Sequence, residues 1–111
     1  MNHDDSVYIK HILDAIKDIE QSTKGLSKEK FQNSKDVKDA CVRRLEVIGE
    51  AVKNISQKTK ADYPLIEWKK IAGARDVMIH SYFNVDLDVV WGIIKQDLPI
   101  LKKEIEKIKE Y

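Results

Sequence analysis

Apolar residues recur along this chain at the three- and four-residue steps of an α-helix, in four separate stretches. The first predicted helix runs from about Asp5 to Ser22, with Tyr8, Ile9, Ile12, Leu13, Ile16 and Ile19 on one face. Asp4, Asp5 and Ser6 offer N-cap candidates, and their charge suits the positive end of the helix dipole. Gly25 is the expected stop. Ser27 to Asn33 reads as a polar connection, anchored in the core by Leu26 and Phe31. A second helix starts near Ser34 and fades between Ser56 and Asp62; Val37, Cys41, Leu45, Ile48, Val52 and Ile55 form its seam. Gly49 inside that seam suggests close approach of a neighbouring helix. Pro64 restarts the chain. A third helix is predicted from Leu65 to about His80, with Trp68, Ile71, Ala72, Val77 and Ile79 as apolar contacts and Gly73 permitting close packing. Ser81 to Val85 breaks the period and reads as a turn. The fourth helix begins near Asp86 or Asp88 and carries Val89, Val90, Ile93, Ile94, Leu98, Leu101, Ile105 and Ile108, with a kink expected at Pro99. Lys102 to Lys109 place cations near its C-terminus, where the dipole favours them.

Four amphipathic helices with short links predict an all-α fold, an antiparallel up-down four-helix bundle. A length of 111 residues fits one domain with one core, residues 1–111. Twenty basic against 19 acidic residues leave a net charge of +1. Nucleic acid would therefore be held by a local patch rather than by bulk charge. Cys41 is the only cysteine, so an internal disulfide is excluded and no Cys/His spacing suggests zinc. The acidic start Met1-Asn2-His3-Asp4-Asp5 lacks the apolar core of a signal peptide. No apolar run approaches the ~20 residues of a membrane span. A cytoplasmic location and no membrane partner are expected.

His80 is the first candidate for chemistry. It ends the third predicted helix in the string Arg75-Asp76-Val77-Met78-Ile79-His80. Asp76 and His80 share a helix face, so the carboxylate can orient the imidazole and raise its pKa. Such a pair can act as acid or base near neutral pH without a metal or other cofactor. Arg75 offers a planar positive fork for a phosphate. Five positions separate Arg75 from His80, about 140° around an ideal helix. Either the helix loosens at His80 or a second chain completes the site. Taken alone, an Arg and a His at this spacing are weak evidence, and a polar C-cap is the competing reading of His80. Tyr82 lies two residues on, where the plain reading is a half-buried aromatic anchoring the turn.

More of the chain bears on the choice. The segment from Ala74 to Asp86, containing Arg75-Asp76-Val77-Met78-Ile79-His80-Ser81-Tyr82, resembles the RxxxxH-x-Y motif of HEPN-domain proteins in their HepT-like branch. Arg44-Leu45-Glu46-Val47-Ile48-Gly49-Glu50-Ala51 resembles that family's R-x-E-x-I-G-E-A segment. The stretch Tyr63-Pro64-Leu65-Ile66-Glu67-Trp68 resembles its P-x-I-x-W run, and Asp97-Leu98-Pro99 with Leu101 its D-L-P-x-L. These matches keep their order over nearly the whole chain.

The resemblance implies a homodimeric HEPN domain and the toxin of a type VII-like toxin–antitoxin pair. It implies a metal-independent endoribonuclease whose Arg75 and His80 meet their counterparts across the dimer, with Asp76 auxiliary. It also implies a partner nucleotidyltransferase antitoxin that adenylylates Tyr82. A bulky anionic nucleotide there would occupy the phosphate site and repel RNA. Lys69, Lys70, Arg43 and Arg44 are candidates for holding RNA, against the plainer reading of solvated helix faces. Glu46 and Glu50 share a face and either border the cleft or pair with Arg43 and Lys53. Trp68 and Trp91 lie in apolar stripes, which suits the core or a dimer interface better than base stacking. The competing function is a non-catalytic HEPN bundle that binds and assists a nucleotidyltransferase. A plain structural dimer without a ligand is the third reading.

Overall fold

A computed structural model of the chain describes residues 3–73 and 87–108, which are helical and contain no strand. The element order is α1 (His3–Thr23), α2 (Lys28–Gln32), α3 (Lys35–Asn54), α4 (Gln57–Asp62), α5 (residues 68–73), α6 (Leu87–Gly92), a π-helical turn (Ile93–Asp97) and α7 (Leu98–Glu106). An all-α fold is therefore observed. No described helix is long and apolar enough to cross a membrane.

The long helices follow the apolar stripes. Ile9, Ile12, Ile16 and Ile19 of α1 are buried against Cys41, Leu45, Ile48 and Val52 of α3. The two helices run antiparallel. Asp5 near the start of α1 bonds Ser56 just beyond the end of α3, whereas Asp18 further along α1 pairs with Arg44 earlier in α3, at 3.5 Å. Leu98, Leu101 and Ile105 of α7 close the same core. A Lys102–Glu20 ion pair at 3.0 Å links α7 to α1 at the surface.

Local chemistry sets the boundaries. Gly25 has φ +75°, the left-handed conformation that a side chain would strain, and it ends α1 as expected. α1 begins at His3, so Asp4 and Asp5 lie in its first turn rather than at an N-cap. The polar connection contains a helical turn, α2, whose N-cap Ser27 Oγ accepts from Lys30 N–H at 3.1 Å. Phe31 is its buried anchor, while Leu26 is only half-buried. The expected fade after Ser56 is another short helix, α4, capped by the Ser56 hydroxyl.

The third helix starts at residue 68 rather than Leu65, and Leu65 is 73% exposed in the turn before it. A side chain added at Gly73 would meet no described residue within 4 Å, so no described neighbour requires glycine there. Val77, Ile79 and the predicted turn from Ser81 to Val85 lie outside the described residues.

At the position where Pro99 suggested a disturbance, a π-helical turn, Ile93–Asp97, precedes α7. Proline cannot donate to the carbonyl four residues back, and its ring crowds that carbonyl. Leu98 N–H reaches instead to the Ile93 carbonyl, one residue further than an α-helix allows.

Candidate functional site

The motif residues Arg75, Asp76, His80 and Tyr82 lie outside the described residues. The elements on either side of them are well defined. On the N-terminal side, Trp68 fixes the start of α5. Its indole N–H donates to the Lys60 carbonyl at 3.2 Å and to the Tyr63 carbonyl at 3.1 Å, holding α5 against the end of α4. Trp68 is buried, as its apolar surroundings in the sequence suggest. Ile71 one turn later packs on the core, and its N–H bonds the Glu67 carbonyl at 3.1 Å.

On the C-terminal side, Asp88 of α6 forms an ion pair with Lys28 and accepts from Gln32 Nε2 at 3.2 Å, both on α2. Hydrogen bonding and charge from Lys28 hold the Asp88 carboxyl below the usual carboxylate range. Trp91 stacks at a tilt on Phe31, with ring centroids 5.1 Å apart, and Lys95 lies over its indole. The chain thus enters and leaves the motif from anchored helices.

The four candidate RNA-holding residues divide between two surfaces. Lys69 and Lys70 lie on one open groove of about 490 Å³, formed where α3 ends, α4 turns and α5 begins. Lys70 also pairs with Asp97 at 3.4 Å and with Glu67 at 3.6 Å, and these carboxylates raise its pKa. Arg43 lies on a separate groove between α1 and α3, beside Tyr8, His11, Glu46 and Glu50, and pairs with Glu46 at 3.6 Å. Arg44 turns to Asp18. Cys41, one turn before Leu45, is buried, and burial raises its thiol pKa despite the nearby Arg44 charge.

Behind Lys70, the side chains of Leu45, Ile48, Ile71, Ile93, Leu98 and Leu101 enclose an apolar cavity of about 60 Å³. Among the described residues, no group of three or more His, Cys, Asp or Glu side chains is placed to hold a metal ion. Sequence reasoning missed that Lys53 and Lys60 join Lys69 and Lys70 on one groove. They lie on different helices, and the turn at Ser56 brings them together, so no helical period could have revealed it.

Known proteins decide the family. The family model described as ribonuclease HepT-like matches residues 12–108. The chain belongs to the ribonuclease HepT-like family. A probable ribonuclease HepT of Thermococcus cleftensis is 42% identical over 103 residues, covering 93% of this chain and 94% of that protein. A putative RNase of Methanocaldococcus jannaschii is 47% identical over 105 residues, covering 95% of this chain and 87% of the relative. A second protein of that organism, named gamma-glutamylcyclotransferase and putative RNase, is 44% identical over 110 residues. This HepT-like chain spans 50% of that relative's length. No solved structure matches the chain. At the level of the family, the activity is that of a ribonuclease.

Proposed function

We propose that this HepT-like chain is the toxin of a toxin–antitoxin pair, a metal-independent endoribonuclease acting in the cytoplasm. Residues 1–111 form a single domain, an antiparallel up-down four-helix bundle that works as a homodimer. The observation that carries this reading is the family match over residues 12–108, together with Arg75, His80 and Tyr82 at R-x-x-x-x-H-x-Y spacing.

RNA is cleaved by internal attack. His80 takes the proton from a ribose 2′-hydroxyl, and the freed oxygen attacks the adjacent phosphorus. Arg75 stabilises the charge that builds on the phosphoryl oxygens. Asp76 orients the imidazole. The bond from phosphorus to the 5′-oxygen breaks, and a second acid, His80 of the partner subunit, protonates the leaving oxygen. The products are a 2′,3′-cyclic phosphate and a 5′-hydroxyl. The two-fold pairing answers the angular problem between Arg75 and His80, because it brings two copies of each to one cleft.

Purified protein incubated with RNA in EDTA should cut it, and the His80→Ala protein should not. Cleavage by His80→Ala at the wild-type rate would sink the assignment of His80. No cleavage by unmodified wild-type protein would shift the reading to a bundle that assists a nucleotidyltransferase. The antitoxin is that nucleotidyltransferase, and it silences the toxin by adenylylating Tyr82. A Tyr82→Phe toxin should arrest growth in the presence of the antitoxin, and normal neutralisation of this variant would refute modification as the mechanism.

A further inference from the structure

α4 is attached to the chain differently from the long helices. Its residues, Gln57 to Asp62, are too few to hold a helix by themselves. They carry no apolar stripe either: the buried residue of α4 is Thr59, and Ala61 is exposed. Apolar anchors stand on both sides, Ile55 before α4 and Ile66 and Trp68 after it, all buried. Between these anchors Tyr63 is half-buried, and hydrogen bonds supply the other described ties. Asp5 of α1 accepts from Ser56 N–H at 2.9 Å, from the Ser56 hydroxyl at 2.6 Å and from the Thr59 hydroxyl at 2.7 Å. The Ser56 Oγ in turn accepts from Thr59 N–H at 3.3 Å. One hydroxyl thus serves both the tie to α1 and the cap of α4. At the other end, the Lys60 and Tyr63 carbonyls accept from the Trp68 indole N–H.

We propose that Ser56 to Tyr63 form a strap that opens as one unit while α1 and α3 stay folded, and that the Asp5 carboxylate is its latch. A segment with few buried apolar side chains opens at lower free energy than the core it lies on. The polar ties also depend on one another. When Ser56 and Thr59 leave Asp5, the cap of α4 loses its orientation. The short helix then cannot persist, and the Lys60 and Tyr63 carbonyls leave the Trp68 indole. The start of α5 is thereby released, while Ile55 and Ile66 hold the two ends of the strap in the core. The inference does not rest on the ribonuclease reading.

The test is hydrogen exchange of the folded full chain, followed by NMR at low, stepped urea concentrations. The strap probes are the Ser56 and Lys60 amides, which donate to Asp5 and to the Ser56 carbonyl, and the Trp68 indole N–H. The core probes are amides in the middle of α1 and α3. In the wild type the three strap probes should share one protection factor, roughly tenfold or more below that of the core, and a shallower dependence on urea. One protection factor and one urea slope for strap and core together would overturn the proposal. Asp5→Asn should lower the strap protection by about tenfold or more, because it leaves buried donors poorly paired. Strap probes unmoved by that change would show that Asp5 is not the latch. Ile19→Val, in the buried face of α1 well away from Asp5, should lower the core protection by about threefold to tenfold and leave the strap probes where they were. An equal loss in both sets would mean that the strap opens only with the whole molecule. Thr59→Val nearly keeps the side-chain shape and drops one bond to Asp5, so it decides the latch if Asp5→Asn fails to fold. It should lower the strap protection several-fold, and no change would overturn the assignment.

Discussion

Two junctions in this molecule are built by opposite physics. At the first, α1 meets the turn between α3 and α4 through Asp5. Asp5 as a residue is 1% exposed, and its carboxylate is the group that makes the contact. It accepts from Ser56 N–H at 2.9 Å, the Ser56 hydroxyl at 2.6 Å and the Thr59 hydroxyl at 2.7 Å. At the second, α5 meets the π-helical turn and α7. The charged contact there, Lys70 with Asp97, is exposed, and the packing lies beneath it in Ile48, Ile71 and Leu98. A polar group can carry a junction only where water is excluded and every donor and acceptor is paired. Where water reaches, charge contributes little and apolar burial carries the contact.

The largest effect should come from the second junction's apolar side. Leu98→Ala removes a buried side chain beside an existing cavity and should cost about 2–5 kcal/mol in urea unfolding. A loss well under 1 kcal/mol would mean that the π-helical turn relaxes to fill the space.

Asp5→Ala comes next. It strands two hydroxyls and a backbone N–H inside the α1–α4 contact and should cost about 2–4 kcal/mol. The same junction should respond to acid. Burial pushes the Asp5 carboxyl up, but the hydrogen bonds from Ser56 and Thr59 and the charge of Lys60 outweigh it and leave the pKa lowered. A carboxyl lowered on folding contributes stability above its unfolded value of about 3.9 and loses it as pH falls through the folded value. The stability gap between wild type and Asp5→Asn should therefore be full at pH 7 and narrow below about pH 4. A gap independent of pH would show that the charge of Asp5 is irrelevant.

Lys70→Gln should have the smallest effect. The pair is solvent-screened, so melting temperature at 0.15 M salt should be indistinguishable from wild type. A clear loss that persists in high salt would contradict the contrast between the junctions.

The same contrast explains what the sequence disclosed. The long helices were legible because burial of a stripe imposes a period: Ile9 to Ile19 and Cys41 to Ile55 are buried where the spacing places them. The short helices were not, since five or six residues in α2 and α4 hold too little of a period to detect. Asp5 was legible only as a first-turn acid. Its partners stand 51 and 54 residues away, and no local rule points to them. Pro99 signalled a disturbance, but its form as a π-helical turn depends on how Leu98 N–H finds the Ile93 carbonyl. At the candidate site, the motif could be read directly because its residues are close in sequence. The groove at the α3–α4–α5 corner joins Lys53 and Lys60 to Lys69 and Lys70 across a helix break, and only the fold reveals it.

The central claim is that RNA is cut by its own 2′-hydroxyl at a site built from Arg75 and His80. The most direct measurement maps the cut in a defined RNA in EDTA, then replaces the nucleotide on the 5′ side of that cut with its 2′-deoxy form. The account predicts that this cut disappears while others remain, and that wild-type fragments end in 2′,3′-cyclic phosphate and 5′-hydroxyl. Continued cutting at the deoxy position, or fragments ending in 3′-hydroxyl and 5′-phosphate, would contradict it.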